Sequence, residues 1–99
     1  MSDTNSIYTI TAITENGKDS RCWGFYFCYA KALNAVERNI GGLDDCMFDY
    51  VVIEEHPEGV LRIATVKQWF KYKKVPDDVE WVEIDPPEWA EGVSNWGIG

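Results

Sequence analysis

The chain has 99 residues, of which 45% are hydrophobic and 14% aromatic, so it can bury one core but has no room for a second. Its net charge of −8 lies almost entirely in residues 77–99, which hold seven acidic residues and no base, whereas residues 1–76 hold ten acidic and all nine basic residues. This distribution argues against direct DNA binding, and apolar runs far shorter than the ~20 residues of a membrane span argue against membrane insertion.

The cysteine count and the N-terminal residues indicate a cytoplasmic protein. Three cysteines cannot form a complete disulfide framework, and the polar first residues lack the charged-then-apolar pattern of a signal peptide. We expect a single domain over residues 1–99, with a flexible end at residues 1–6 and a tryptophan-containing acidic tail at residues 86–99.

The first elements should form a β-hairpin. The segment from Ile7 to Thr14 is almost entirely β-branched or aromatic, which predicts a strand. Asn16-Gly17 is a strong hairpin signal, so we place a turn at residues 15–18 and an antiparallel partner strand at residues 21–27. Alternation along this second strand predicts one buried face, which consists of Trp23, Phe25 and Phe27.

A helix should follow with almost no loop. Apolar residues recur at helical spacing from Tyr29 onward, within an alanine-rich run of high helix propensity. The predicted apolar face consists of Tyr29, Leu33, Val36 and Ile40. The predicted polar face consists of Lys31, Asn34, Glu37 and Arg38. Gly41 and Gly42 can end the helix, and a loop should continue to Met47.

A central strand and a turn should come next. The segment from Phe48 to Glu55 is apolar on both faces, which is typical of a strand in the middle of a sheet. The sequence His56-Pro-Glu-Gly59 has the residues of a turn, so we expect its imidazole to be exposed to solvent.

The last two strands should form a second hairpin. We place a fourth strand from about Val60 to about Tyr72 and a fifth over residues 81–84. With a two-residue loop at Pro76-Asp77, Tyr72 would face Trp81 and Lys73 would face Glu80, unless the register slips by one residue.

The predicted order is β-β-α-β-β-β, an α+β fold in which one helix packs on an antiparallel sheet of about five strands. Pro86-Pro87 should end the last strand. The second face of the sheet would then be covered by the tail or by another copy of the chain. Trp89 and Trp96 should either fold back on the sheet or meet a partner.

The sequence offers no motif for chemistry. If the second strand is continuous, Cys22 and Cys28 lie ~20 Å apart at ~3.3 Å per residue. The two cysteines are therefore too far from each other to bind the same zinc ion, with or without Cys46 and His56. We expect these cysteines to be ordinary half-buried thiols. Neighbouring acidic residues on strands point to opposite faces, and no phosphate-binding loop follows the two glycines. We therefore predict no enzymatic activity, no cofactor and no metal.

The last third of the chain combines aromatic and charged residues, which suits a protein interface. In an alternative interpretation, most of these residues simply pack in the core of the protein. The same set of residues could also stack on a nucleobase. The predicted binding residues are Trp69, Lys71, Tyr72, Lys73, Trp81, Glu83, Trp89 and Trp96.

Three segments resemble a group of short acidic proteins from bacteria and their phages whose activity is uncharacterised. These segments are Trp23-Gly-Phe-Tyr-Phe27 before the alanine-rich helix, Tyr50-Val-Val-Ile-Glu-Glu-His-Pro-Glu-Gly59, and the ending Asn95-Trp-Gly-Ile-Gly99. The chain is also similar in size and acidity to phage proteins that inhibit host defence, which implies an inhibitory role by analogy of character.

Our first hypothesis is a non-enzymatic inhibitor or adaptor that contacts another protein through its aromatic, acidic C-terminal third. The alternative is a protein that sequesters a nucleotide or similar small ligand between aromatic rings and Lys or Arg. A small enzyme is the third and least supported hypothesis. A sheet with one helix leaves a face uncovered, so we also expect a homodimer or higher oligomer.

Overall fold

The computed structural model describes residues 6–14, 19–38, 49–57, 65–75, 78–90 and 96, with the backbone alone at residues 74, 75, 78 and 79. Its elements in chain order are β1 (Ser6–Ile13), β2 (Ser20–Tyr26), α1 (Tyr29–Glu37), β3 (Tyr50–Pro57), β4 (Thr65–Val75), β5 (Asp78–Ile84) and a 3₁₀ helix (Glu88–Ala90). The strands form one antiparallel sheet in the order β2-β1-β3-β4-β5, and α1 packs on it. The predicted α+β fold with five strands and one helix is confirmed.

Several predictions lie outside the described residues. They concern residues 1–5, the turn at residues 15–18, Ile40 and the loop at residues 41–47 with Cys46, the turn residues Glu58 and Gly59, the start of the fourth strand at residues 60–64, and the loop residues Pro76 and Asp77.

One side of the sheet, here called the helix face, carries α1. The helix buries Ala32, Ala35 and Val36 completely, and Tyr29 and Leu33 partly, because these residues recur on one side of the cylinder. The sheet residues that form the core beneath it are Ile10, Ala12, Val51, Ile53, Phe70 and Trp81. The predicted polar face of the helix is exposed, as expected from its composition.

The opposite side of the sheet, here called the tail face, has a second core. Its buried residues are Ile13, Tyr50, Val52, Trp69 and Ala90, with Val66, Ile84 and Trp96 packed against them. Ala90 and Trp96 come from the C-terminal segment, so at these two residues that segment packs against the sheet.

The hairpin of β4 and β5 has the predicted register. Tyr72 pairs with Trp81 and Lys73 pairs with Glu80. β3 is the middle strand of the sheet, and residues 50–53 are buried on both of its faces, as its continuous apolar run predicted.

The buried face predicted for β2 is wrong, because the strand contains a bulge. Its register with β1 shifts by one residue at Trp23, which has no partner on β1. One extra residue reverses the alternation, so Trp23 and Tyr26 both pack against the helix-face core. Phe25 and Phe27 are exposed instead.

The turn predicted at His56 and Pro57 is also wrong. β3 continues through both residues, because β1 extends far enough to pair with them: Ile7 lies opposite His56, and Ser6 lies opposite Pro57. Pro57 is tolerated there since it is the last residue of the strand. The imidazole expected to be exposed is therefore buried.

Candidate functional site: an aromatic cluster beside an acidic edge

The sheet divides the predicted binding residues between its two faces. Trp69, Trp89 and Trp96 meet on the tail face. Lys71 lies on that face too, with its Nζ 5.8 Å from the centre of the Tyr50 ring. Tyr72 and Trp81 lie on the helix face, so the structure does not bring all the predicted residues together.

Four rings on the tail face form what we call the aromatic cluster: Tyr50, Trp69, Trp89 and Trp96. Trp69 is at its centre, with ring centroids 6.2 Å from Tyr50, 5.8 Å from Trp89 and 5.9 Å from Trp96. All of these contacts are edge-to-face, the favoured arrangement of aromatic quadrupoles. These ring contacts anchor Trp89 and Trp96 to the sheet.

The chain reaches this arrangement through strand alternation and a proline turn. Alternation along β4 places Trp69 and Lys71 on the tail face and Phe70 and Tyr72 on the helix face. After β5, Pro86-Pro87 cannot continue a ladder, and the backbone N–H of Ala90 donates to the Pro87 carbonyl at 2.9 Å. The resulting 3₁₀ helix buries Ala90 and carries Trp89 into the cluster.

Exposure distinguishes the members of the cluster. Trp69 is only 1% exposed, and Tyr50 is also buried, whereas Trp89 is 37% exposed. Trp89 is therefore held in place by its neighbours while it offers ring surface to solvent. Sequence reasoning missed Tyr50 as a member; its pairing with Lys71 across β3 and β4 was the signal, and that pairing needs the register of the two strands.

The edge strand next to the cluster is acidic. Glu80 and Glu83 on β5, then Asp85 and Glu88, are all exposed, and we call these four residues the acidic edge. β5 is the last strand of the sheet. Carboxylates on an edge strand also discourage unwanted strand pairing.

Tyr72 and Trp81 have a structural role on the helix face. Their ring centroids are 5.5 Å apart, and Trp81 is 5% exposed beneath α1. Glu83 lies towards the helix, where burial first, and then the charges of Glu83 and Glu37, raises the pKa of Tyr29. Lys73 is exposed opposite Glu80. The predicted set therefore separates into core residues and surface residues.

A cavity of about 190 Å³ lies beside Trp69, lined by residues 66–69 and 84–86. This is below the ~300 Å³ at which small-molecule sites usually begin. Gln68 contributes to its wall, but its Nε2 already donates to the carbonyls of Trp69 and Ile84 at 3.0 and 3.1 Å. The cavity suits a side chain of a partner better than a nucleotide.

A buried polar cluster, which the sequence did not predict, lies on the same face as Val52 and Trp69. It consists of Thr9, Thr11, Glu54 and His56. Thr9 Oγ1 and His56 Nε2 are 2.8 Å apart, and burial lowers the pKa of His56. This is the distance of a nucleophile and its base, yet Thr9 and His56 are both buried, so no substrate can approach the hydroxyl. We assign the pair to the structure of the sheet.

The thiols of Cys22 and Cys28 are free and exposed, which corrects the expectation that they are half-buried. Across the described ranges, no three His, Cys, Asp or Glu side chains lie close enough to hold a metal ion. In the same part of the chain, no helix is both long and apolar enough to cross a membrane.

Comparison with known proteins gives no relative: no protein-family model, no curated protein and no solved structure matches this chain.

Proposed function

We propose that this chain is a non-enzymatic binding protein, an inhibitor or adaptor that contacts a positively charged surface of another protein with Trp89 and the acidic edge. The observation that carries the proposal is the exposure of Trp89. It is 37% exposed although its partners in the aromatic cluster hold it in one position, and the residue before it in the chain, Glu88, is also exposed.

The physical argument has two parts. An indole held by its neighbours loses little conformational freedom on binding, and tryptophan is among the residues that contribute most to protein interfaces. The acidic edge adds long-range attraction for a basic partner, which speeds association and excludes acidic partners. Seven acidic residues and no base follow residue 76, and Lys73 on β4, which lies opposite Glu80, offsets only part of this charge.

The cellular setting is part of the proposal. Exposed, unpaired thiols at Cys22 and Cys28 suit a reducing cytoplasm. A counter-defence role in a phage, in which the acidic protein occupies a basic surface of a host protein, agrees with the size and charge of the chain.

The test is quantitative capture of host proteins on the full chain, with two matched charge reversals. Glu88→Lys changes the acidic edge beside Trp89, and Glu37→Lys makes the same change on the exposed end of α1. We expect a basic partner that binds the native chain and the Glu37→Lys variant, that binds Glu88→Lys at least about tenfold more weakly, and that dissociates as salt is raised. A partner that binds both variants equally, or no specific partner at all, would contradict the proposal.

The second candidate is a protein that sequesters a nucleotide. The small volume of the cavity weighs against it, and the cation that lines the cavity, Lys67, already forms an ion pair in which its Nζ is 3.5 Å from Glu55 Oε1. Screening of nucleotides by thermal shift decides it, because a ligand that binds the folded state raises the melting temperature by mass action. The absence of any shift removes this candidate.

A further inference from the structure

The two edges of the sheet differ in what they expose. β2 pairs only with β1 among the described strands, so the backbone N–H and C=O groups on its outer side point away from the sheet. The opposite edge, β5, carries Glu80 and Glu83, which repel a like strand. From residue 20 to residue 30, the only charged side chain is that of Arg21.

The β2 edge also exposes two large apolar side chains. Phe25 is 54% exposed and Phe27 is 77% exposed. Their ring centroids are 5.7 Å apart at an interplanar angle of 81°, so each ring has the other as an aromatic neighbour. An open strand edge with exposed aromatic residues is the combination used in partner binding by strand addition.

We propose that β2 is the interface of a homodimer, in which β2 of one copy pairs antiparallel with β2 of a second copy and Phe25 lies at the two-fold axis. This goes beyond the proposed function, because it concerns the edge of the sheet furthest from Trp89 and the acidic edge. The sheet would become continuous across the two copies, with ten strands.

The sequence of β2 is what favours a second copy as the occupant. Cys22-Trp-Gly-Phe-Tyr-Phe-Cys28 begins in β2 and ends two residues after it, with an aromatic residue two positions to each side of Phe25 and a cysteine three positions to each side. A pairing centred on Phe25 therefore brings Trp23 near Phe27 and Cys22 near Cys28 of the second copy. Phe25 faces Phe25 of the second copy, and Gly24 faces Tyr26 of the second copy. A Cβ placed on Gly24 would meet nothing within 4 Å, so there is open space beside its backbone that an aromatic ring can cover.

Charge and symmetry favour the same occupant. Two chains of net charge −8 repel each other least where their carboxylates are furthest apart, and the acidic edge lies across the sheet from β2. Pairing of β2 with itself is isologous and therefore closes at two copies. Both acidic edges and both Trp89 rings then stay accessible.

The first test is sedimentation velocity of the full chain with substitutions at Phe25. We expect the native chain to form a dimer and Phe25→Lys to raise its dissociation constant by about a hundredfold, because two like charges would meet at the axis. Phe25→Leu should stay dimeric. A mixture of Phe25→Lys and Phe25→Glu should form a heterodimer. A monomeric native chain, a dimer that tolerates Phe25→Lys, or a mixture that fails to associate would overturn the pairing.

The second test needs no change at Phe25. In a Cys46→Ser background, ¹⁵N-labelled and unlabelled chains are mixed and treated with a short bismaleimide. We expect cross-links between Cys22 of one copy and Cys28 of the other, identified by mass spectrometry of mixed-isotope peptides. Cross-links found only within one copy, or none, would overturn the proposal even if a Phe25 variant failed to fold.

Discussion

The indole of Trp89 lies perpendicular to that of Trp69, with 5.8 Å between their ring centroids and 90° between their planes. Trp96 contacts both rings, at 5.9 and 6.1 Å. Because Trp69 belongs to the middle of β4, these contacts join Trp89 and Trp96 to the sheet. The segment that we propose for partner binding therefore also stabilises the sheet.

Removal of the tail should destabilise the domain. A chain that ends at Asp85 lacks Trp89, Ala90 and Trp96, and it exposes Trp69, which is buried in the full chain. Loss of that apolar contact should lower the free energy of unfolding by at least about 3 kcal/mol. Urea denaturation followed by far-UV circular dichroism measures it. A truncated chain of unchanged stability would contradict the packing of the tail.

Two tryptophans of the predicted site should differ in their effect on stability. Trp81→Ala removes a ring that is buried under α1, so it should cost about 3–5 kcal/mol of unfolding free energy. Trp89→Ala removes a partly exposed ring and should cost only about 1–2 kcal/mol. Urea denaturation of both variants measures the two losses of unfolding free energy. Equal losses would mean that Trp89 contributes as much to stability as the buried Trp81.

The buried imidazole should make stability depend on pH. In the unfolded chain His56 titrates near its ordinary value of 6.5, whereas burial lowers the pKa of His56 in the folded chain. As the pH falls below 6.5, the unfolded state takes up a proton that the folded state does not. Stability should therefore fall by up to about 1.4 kcal/mol per pH unit, until the pH reaches the folded pKa.

The control for this prediction is His56→Gln, which keeps a hydrogen-bonding side chain beside Thr9 but does not titrate. His56 is the only histidine of the chain, so the difference in unfolding free energy between the two proteins isolates its titration. The unfolding free energy of the native chain minus that of the variant should fall between pH 7 and pH 5. A constant difference over this range would show that the imidazole accepts its proton in the folded state as readily as in the unfolded state.

Most of the fold could be predicted from the sequence, because the local signals for strands, turns and the helix agree with the way in which the strands pair. A two-residue loop at Pro76-Asp77 predicts that Tyr72 pairs with Trp81, and the structure has this register, although the sequence alone left a slip of one residue open. In β2 this agreement fails. The bulge at Trp23 depends on how β1 and β2 pair, and no local pattern indicates an extra residue, so strict alternation placed Phe25 in the core.

The candidate site was only partly predictable for a similar reason. Aromatic and charged residues mark the last third of the chain, but which of them share a face depends on strand direction and on the path of the tail. Alternation along β4 would have separated Trp69 from Tyr72. His56 was assigned to a turn because Pro57 follows it, and only the length of β1 shows that the strand continues.

The two exposed cysteines should differ in reactivity. Cys28 lies at the start of α1, where the backbone N–H groups of Lys31 and Ala30, and the Lys31 charge, lower the pKa of its thiol. Cys22 is also exposed but lies within β2, away from the helix start. Since the thiolate is the reactive form, iodoacetamide should modify Cys28 several-fold faster than Cys22 near neutral pH. Mass spectrometry of the peptides, on dilute protein, measures both rates in one sample. The rates should converge in urea, where the helix is lost, whereas equal rates in the folded chain would contradict the influence of the helix on Cys28.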